Sequence, residues 1–194
     1  MEECKDPRAV EVLRFWFGGA GEYGTRRRYW FEKSARFDSE IRARFAGLHE
    51  SAAAGAYAAW MGRAPECLAL VIVLDQFPRN MFRGEAHAFA SDPLALAAAR
   101  HALERGFDRT MRAVERLFLY LPFEHSESLG DQLRACELTE PLRAFPETGD
   151  AHRYAVRHCD TIRRFGRFPH RNAILGRASR PEEAEFLREP GSGF

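Results

Sequence analysis

The run Cys67-Leu68-Ala69-Leu70-Val71-Ile72-Val73-Leu74 is apolar at every position, and no other stretch constrains the fold as much. A surface helix repeats its apolar residues every 3.6 positions and a half-buried strand every second one, so a run with no polar face must be covered on all sides. Periodicity alone allows a buried strand or a buried helix. No neighbouring segment alternates as a partner strand would, and the neighbours read as helices. The run is therefore expected to be a central buried helix, opened by Pro65-Glu66. It delivers Asp75 and Gln76 at its C-terminal end and should break at Pro78.

Helical punctuation surrounds it. Asp6-Pro7 reads as an N-cap with Pro at the first helical position, followed by Val10, Leu13 and Phe17 and stopped by Gly18-Gly19. Arg26 to Phe31 reads as a loop anchored by Trp30, with a reach toward a polar site as the alternative. Phe37, Ile41, Phe45 and Leu48 stripe a second helix with Asp38 near its start, and Ser51 to Trp60 reads as a third. Ser91-Asp92-Pro93 caps a helix that ends at Gly106. Met111, Val114, Leu117, Phe118 and Leu121 stripe one that ends at Pro122, and Leu129, Leu133 and Cys136 mark another. Tyr154, His158, Ile162 and Phe165 share a face of a long helix, and Ser179-Arg180-Pro181-Glu182 reads as a capping box opening a short last one. The expected fold is all-α, with eight or nine helices in antiparallel pairs. It forms one domain over 1–194, with 189–194 a fraying tail.

At 194 residues and a net charge of +1 the chain lacks the basic excess of a nucleic-acid binder. The longest apolar run is far too short to span a membrane, and the first residues carry no apolar signal core. Cys4, Cys67, Cys136 and Cys159 have no C-x-x-C spacing and are expected as free thiols. A cytoplasmic protein with no membrane partner is the expectation.

Between Thr161 and Pro181 no acidic residue occurs, while Arg163, Arg164, Arg167, Arg171, Arg177 and Arg180 all do. Gly166 and Pro169 forbid a simple helix there, so a shaped polar corner that needs anionic partners is expected. Two further corners carry clustered polar residues: Asp75-Gln76-Phe77-Pro78-Arg79-Asn80 and Leu121-Pro122-Phe123-Glu124-His125-Ser126-Glu127. Phe77-Pro78-Arg79-Asn80 is like Phe168-Pro169-His170-Arg171-Asn172 apart from one inserted His, which suggests two similar corners facing each other.

Leu74-Asp75-Gln76-Phe77-Pro78-Arg79-Asn80, Pro122-Phe123-Glu124-His125-Ser126-Glu127 and Phe165-Gly166-Arg167-Phe168-Pro169-His170-Arg171-Asn172 together strongly resemble the bacterial domain-of-unknown-function family 924. Phe15-Trp16-Phe17, Trp30-Phe31, Phe37-Asp38 and Ile174-Leu175-Gly176-Arg177 match as well, so the resemblance covers nearly the whole chain. It implies an all-helical fold similar to the tetratricopeptide-like right-handed superhelix, and it carries over no activity.

Two readings of the corners stand side by side. In the first, Arg79, Arg167 and Arg171 surround a phosphate or carboxylate of a small metabolite or acidic peptide terminus, oriented by Asn80 and Asn172, with Asp75 and Gln76 beside them. In the second, Asp75, Glu124 and Glu127 neutralise those arginines and fasten helix pairs, leaving a protein-interaction scaffold. His125, His170 and Glu127 are the candidate acid–base groups, whereas His158, on an apolar stripe, reads as a core histidine. His125-x-Glu127 lacks the Pro-Cys-x-x-Cys of zinc deaminases, H-E-x-x-H is absent, and no nucleotide loop follows a strand, so neither metal nor cofactor is expected.

Overall fold

The all-apolar run is helical and lies at the centre. In the computed structural model, which describes residues 4–193, α1 (Pro7–Phe17), α2 (Ala35–Ala53) and α3 (Ala64–Val71) lead into a π-helical turn, Ile72–Gln76, that continues as α4 (Phe77–Met81). Every residue from Glu66 to Pro78 is buried. α3 packs against α1, α5 (Asp92–Glu104) and α6 (Ala113–His125), while α2 covers α4. α7 (Leu129–Thr139) lies between α6 and α8 (Ala151–Phe165), and α9 (Pro181–Phe186) follows the last corner. The fold is all-α, with no strand among the described residues.

Pro78 does not break the helix as its missing N–H would suggest. The turn widens, so that the Phe77 N–H bonds the Ile72 carbonyl, a π-type spacing. The Leu74 carbonyl, which Pro78 cannot serve, accepts a hydrogen bond from the Ser91 hydroxyl at 2.6 Å. That hydroxyl has spent its hydrogen, so His49 Nε2, 3.2 Å away, donates to it. Ser91 occupies the N-cap position of α5, but its side chain makes no capping bond there. Because Ser91 is 2% exposed, Ser91→Ala strands a buried carbonyl. It should lower stability by about 1–3 kcal/mol, read from the midpoint of urea unfolding at unchanged slope.

Other boundaries differ from the sequence reading. Pro122 lies inside α6, which runs on to His125, so Glu124 and His125 sit on helical backbone. Ser51–Ala53 closes α2, and Gly55, at φ 85°, prevents a third long helix before the single 3-10 turn Ala58–Gly62. Leu129 and Leu133 are exposed; α7 instead buries Asp131, Gln132, Ala135 and Thr139. Its inward face meets the frayed polar end of α6, where the Gln132 amide donates to the carbonyls of Glu124 and Ser126 at 2.7 and 2.6 Å. The last capping box is shifted by one, with Arg180 as cap and Glu183 accepting its N–H at 2.7 Å.

The N-terminal helix and the Arg26–Phe31 segment follow expectation. Asp6 accepts the Arg8 N–H at the start of α1, and Trp30, buried, donates its indole N–H to the Trp16 carbonyl at 2.9 Å. Trp30 joins Trp16, Phe17 and Phe118 in one aromatic cluster. The four cysteines are free thiols, Cys67 and Cys159 buried, Cys4 and Cys136 partly so. Beyond α9, the Gly191 carbonyl accepts from Arg157 at 2.8 Å and the Ser192 hydroxyl donates to Leu187 O at 3.2 Å; Phe194 and Met1–Glu3 lie outside the described residues.

Candidate functional site

The first two corners meet at Asp75. The π-turn puts this carboxylate, 0% exposed, on the side of the helix that faces α6. Asp75 Oδ1 lies 2.7 Å from His125 Nδ1 and 3.2 Å from Arg79 Nη1, and Gln76 Nε2 donates to Oδ2 at 2.5 Å. Burial pushes the carboxyl up, but the charge of Arg79 and the hydrogen bonds from His125 and Gln76 outweigh it and hold Asp75 down at about 2. An ionised carboxylate only accepts, so His125 carries its hydrogen on Nδ1 and presents Nε2 as a lone pair.

The first and third corners meet across Asp92. Arg79 grips it with two parallel bonds, 2.7 and 2.9 Å, and also donates to its own-helix Asp75 carbonyl at 2.8 Å. Arg171 approaches the same carboxylate from the other side, at 3.6 Å, and donates to the His125 carbonyl at 3.0 Å. Both guanidiniums face the ring of Phe89, at 5.6 and 4.7 Å, and Arg171 also lies 4.5 Å from the Phe168 ring centre. The two Phe-Pro corners therefore face each other around one acid and one aromatic ring. Arg171 is 6% exposed, and its Nε has no acceptor among the described residues. Burial, with the like charge of Arg79, pushes its guanidinium down to about 10.

Beneath Asp75 lies an acid that stays protonated. Glu124 is 1% exposed; burial, and then the charge of Asp75, push it up to about 8. Its Oε2 is 3.6 Å from His158 Nδ1, which donates to the Tyr154 carbonyl at 2.8 Å. Glu124 Oε1 has no partner among the described residues. The rings of His125 and His158 are 6.5 Å apart, and Phe168 lies between His158 and His170, at 5.6 and 5.5 Å. Burial lowers all three histidines, His158 to about 3 and His170 to about 4, so they are neutral at pH 7.

Several sequence candidates point elsewhere. Asn80 is one step round α4 from Arg79 and donates to Asp38 at 2.7 Å, a carboxylate that Arg83 also grips. Arg167 makes a two-pronged pair with Glu183, both bonds 2.7 Å, and Asn172 donates to the same carboxylate at 3.2 Å and to Ser179 at 3.1 Å. Glu183 is thereby held ionised, first by Arg167 and then by Arg180. Glu127 accepts from Arg177 at 2.7 and 3.0 Å and from the Phe168 N–H at 2.7 Å. These residues tie the third corner to α9 and α6 rather than lining the Asp75–Asp92–Arg171 cluster.

Asp92, Glu183, Phe89 and Arg177 were not among the sequence candidates. Asp92 is legible only as the start of α5, a role that hides its grip on two arginines. No group of three or more His, Cys, Asp or Glu side chains suited to a metal occurs among the described residues. Clefts of about 520 and 420 Å³ are lined by other residues, one around Arg143, Asp150 and His152 and the other between α1, α3 and the start of α6. The polar cluster reaches the surface where Arg79, Asp92 and His125 keep 19%, 18% and 14% of their side chains exposed. No helix among the described residues is long and apolar enough to cross a membrane.

Comparison with known proteins agrees with the family resemblance and the fold. The model of a family described as bacterial protein of unknown function (DUF924) matches residues 12–191. A solved structure of a protein of unknown function from Agrobacterium tumefaciens is 42% identical, with a TM-score of 0.83 over 93% of this chain and 97% of that one. No curated protein matches. With a family model spanning nearly its whole length and the same helical fold in a relative of that identity, the chain belongs to the bacterial DUF924 family.

Proposed function

We propose that this protein recognises a small oxyanion, the carboxylate or phosphate of a metabolite or an acidic peptide terminus, at the Arg171–His125–Arg79 edge of the polar cluster. One observation carries the reading. Arg171 is a desolvated guanidinium whose nearest carboxylate, Asp92, is already gripped by Arg79, and its Nε lacks an acceptor. A buried cation with unused donors gains from an anion what burial took away. His125, whose Nδ1 is taken up by Asp75, keeps its Nε2 lone pair for a ligand that retains one proton.

The second reading is a protein-interaction scaffold in which the polar motifs only fasten helices. It is favoured for the third corner, where Arg167 and Arg177 have complete two-pronged partners in Glu183 and Glu127.

Titration with phosphate and with citrate at constant ionic strength, followed by thermal unfolding, separates the two. An anion bound at Arg171 raises stability in a saturable way, by roughly 2.7 kcal/mol at a hundredfold excess over its dissociation constant. Arg171→Lys keeps the charge but not the planar fork and should flatten the response. Equal responses in both proteins mean a general salt effect and favour the scaffold.

A further inference from the structure

We infer that the cleft between α1, α3 and the start of α6 is a second binding site, one for a soluble amphipathic carboxylate of medium chain length. It shares no lining residue with the Arg171 cluster and does not depend on that reading. Its volume, about 420 Å³, falls in the usual range for small-molecule sites, about 300–1,000 Å³. Val10, Leu13, Leu68 and Met111 make its floor, and Arg14 and Arg112 stand at its rim.

The charge at that rim is not answered from within. Glu115, the acid of the cleft, is 3% exposed and already fully engaged. One of its oxygens accepts the Tyr23 hydroxyl at 2.7 Å, and the other accepts the Arg112 backbone N–H at 2.7 Å. Arg112 is held in place by a 2.7 Å bond to the Tyr23 carbonyl and by the Tyr23 ring, 5.2 Å below its guanidinium. The Arg14 side chain is exposed and has no hydrogen-bond or ion-pair partner among the described residues.

This combination selects the ligand class. A carboxylate head matches the fork of Arg14 and the nearby charge of Arg112, and an alkyl tail covers Leu13, Leu68 and Met111. A bare anion makes no use of the floor. A neutral alcohol leaves both guanidiniums unanswered.

The test uses the whole ¹⁵N-labelled chain and three probes: octanoate below its micelle-forming concentration, acetate (head without tail) and 1-octanol (tail without head). Octanoate should shift the amides of Leu13, Arg14, Tyr23, Leu68 and Met111 saturably, and acetate should leave them unmoved. Arg14→Gln should weaken octanoate about tenfold, as expected for losing one charge-assisted pair, while leaving 1-octanol unchanged. Ala20→Trp, a change at an exposed residue of the mouth, should block both. If octanoate moves these amides equally in wild type, Arg14→Gln and Ala20→Trp, or does not saturate, the site is not what we infer.

Discussion

Asp75→Ala should destabilise the fold by about 1–3 kcal/mol for each buried donor it leaves without an acceptor. The carboxylate is fully buried and answers Arg79, His125 and Gln76 at once. Arg79 retains Asp92, so the loss falls mainly on His125 and Gln76 and on the gap left beneath the π-turn. A pH series adds an independent check. Asp75 is held at about 2 in the folded chain, below the unfolded value of about 3.9. Its contribution is therefore full above about pH 4 and disappears as pH falls through 2. In guanidinium unfolding, wild type should lose this contribution over that window and Asp75→Asn should not. Identical pH slopes for the two proteins would mean that Asp75 is not ionised in the way its neighbours dictate.

Glu124→Gln should do the opposite at alkaline pH. Glu124 is pushed up to about 8 by burial and by Asp75, from an ordinary 4.5. Between those values the unfolded chain releases its proton and the folded chain keeps it, so wild-type stability falls as pH rises through this range and levels off above 8. The amide keeps the shape and has no proton to lose. At pH 8–9 the variant should be more stable than wild type by on the order of 4 kcal/mol, and at pH 4 about equal. Urea unfolding at the two pH values reads the difference directly. A variant that is less stable at both would mean that the carboxyl is needed in its charged form.

What the sequence made legible, and what it did not, follows from range. The all-apolar run could only be central, and Asp6-Pro7 and Gly18 marked the ends of α1, whereas Pro78 and Pro122 did not end their helices. The likeness of the two Phe-Pro corners correctly anticipated that they face each other, because both place an arginine just after a proline turn. Partners distant in the chain were hidden. Pro78 reads as a stop, and nothing near it announces that Ser91 will serve the stranded Leu74 carbonyl. Asn80 and Asn172 look equivalent but turn to different acids, Asp38 and Glu183. Asp92 is masked by its place at the start of α5, and the cleft at Arg14 leaves no motif because its floor comes from α1, α3 and the turn before α6, which are distant in the chain.

If Arg171 holds an anion, its own side-chain N–H group reports the binding. In ¹H–¹⁵N spectra tuned to arginine Nε, the Arg171 signal, assigned by its loss in Arg171→Lys, should be slow to exchange because the group is buried. On titration with phosphate or citrate at constant ionic strength it should move saturably, with the dissociation constant that thermal unfolding gives. A resonance that stays in place while solvent-exposed Arg28 moves with salt would contradict the claim.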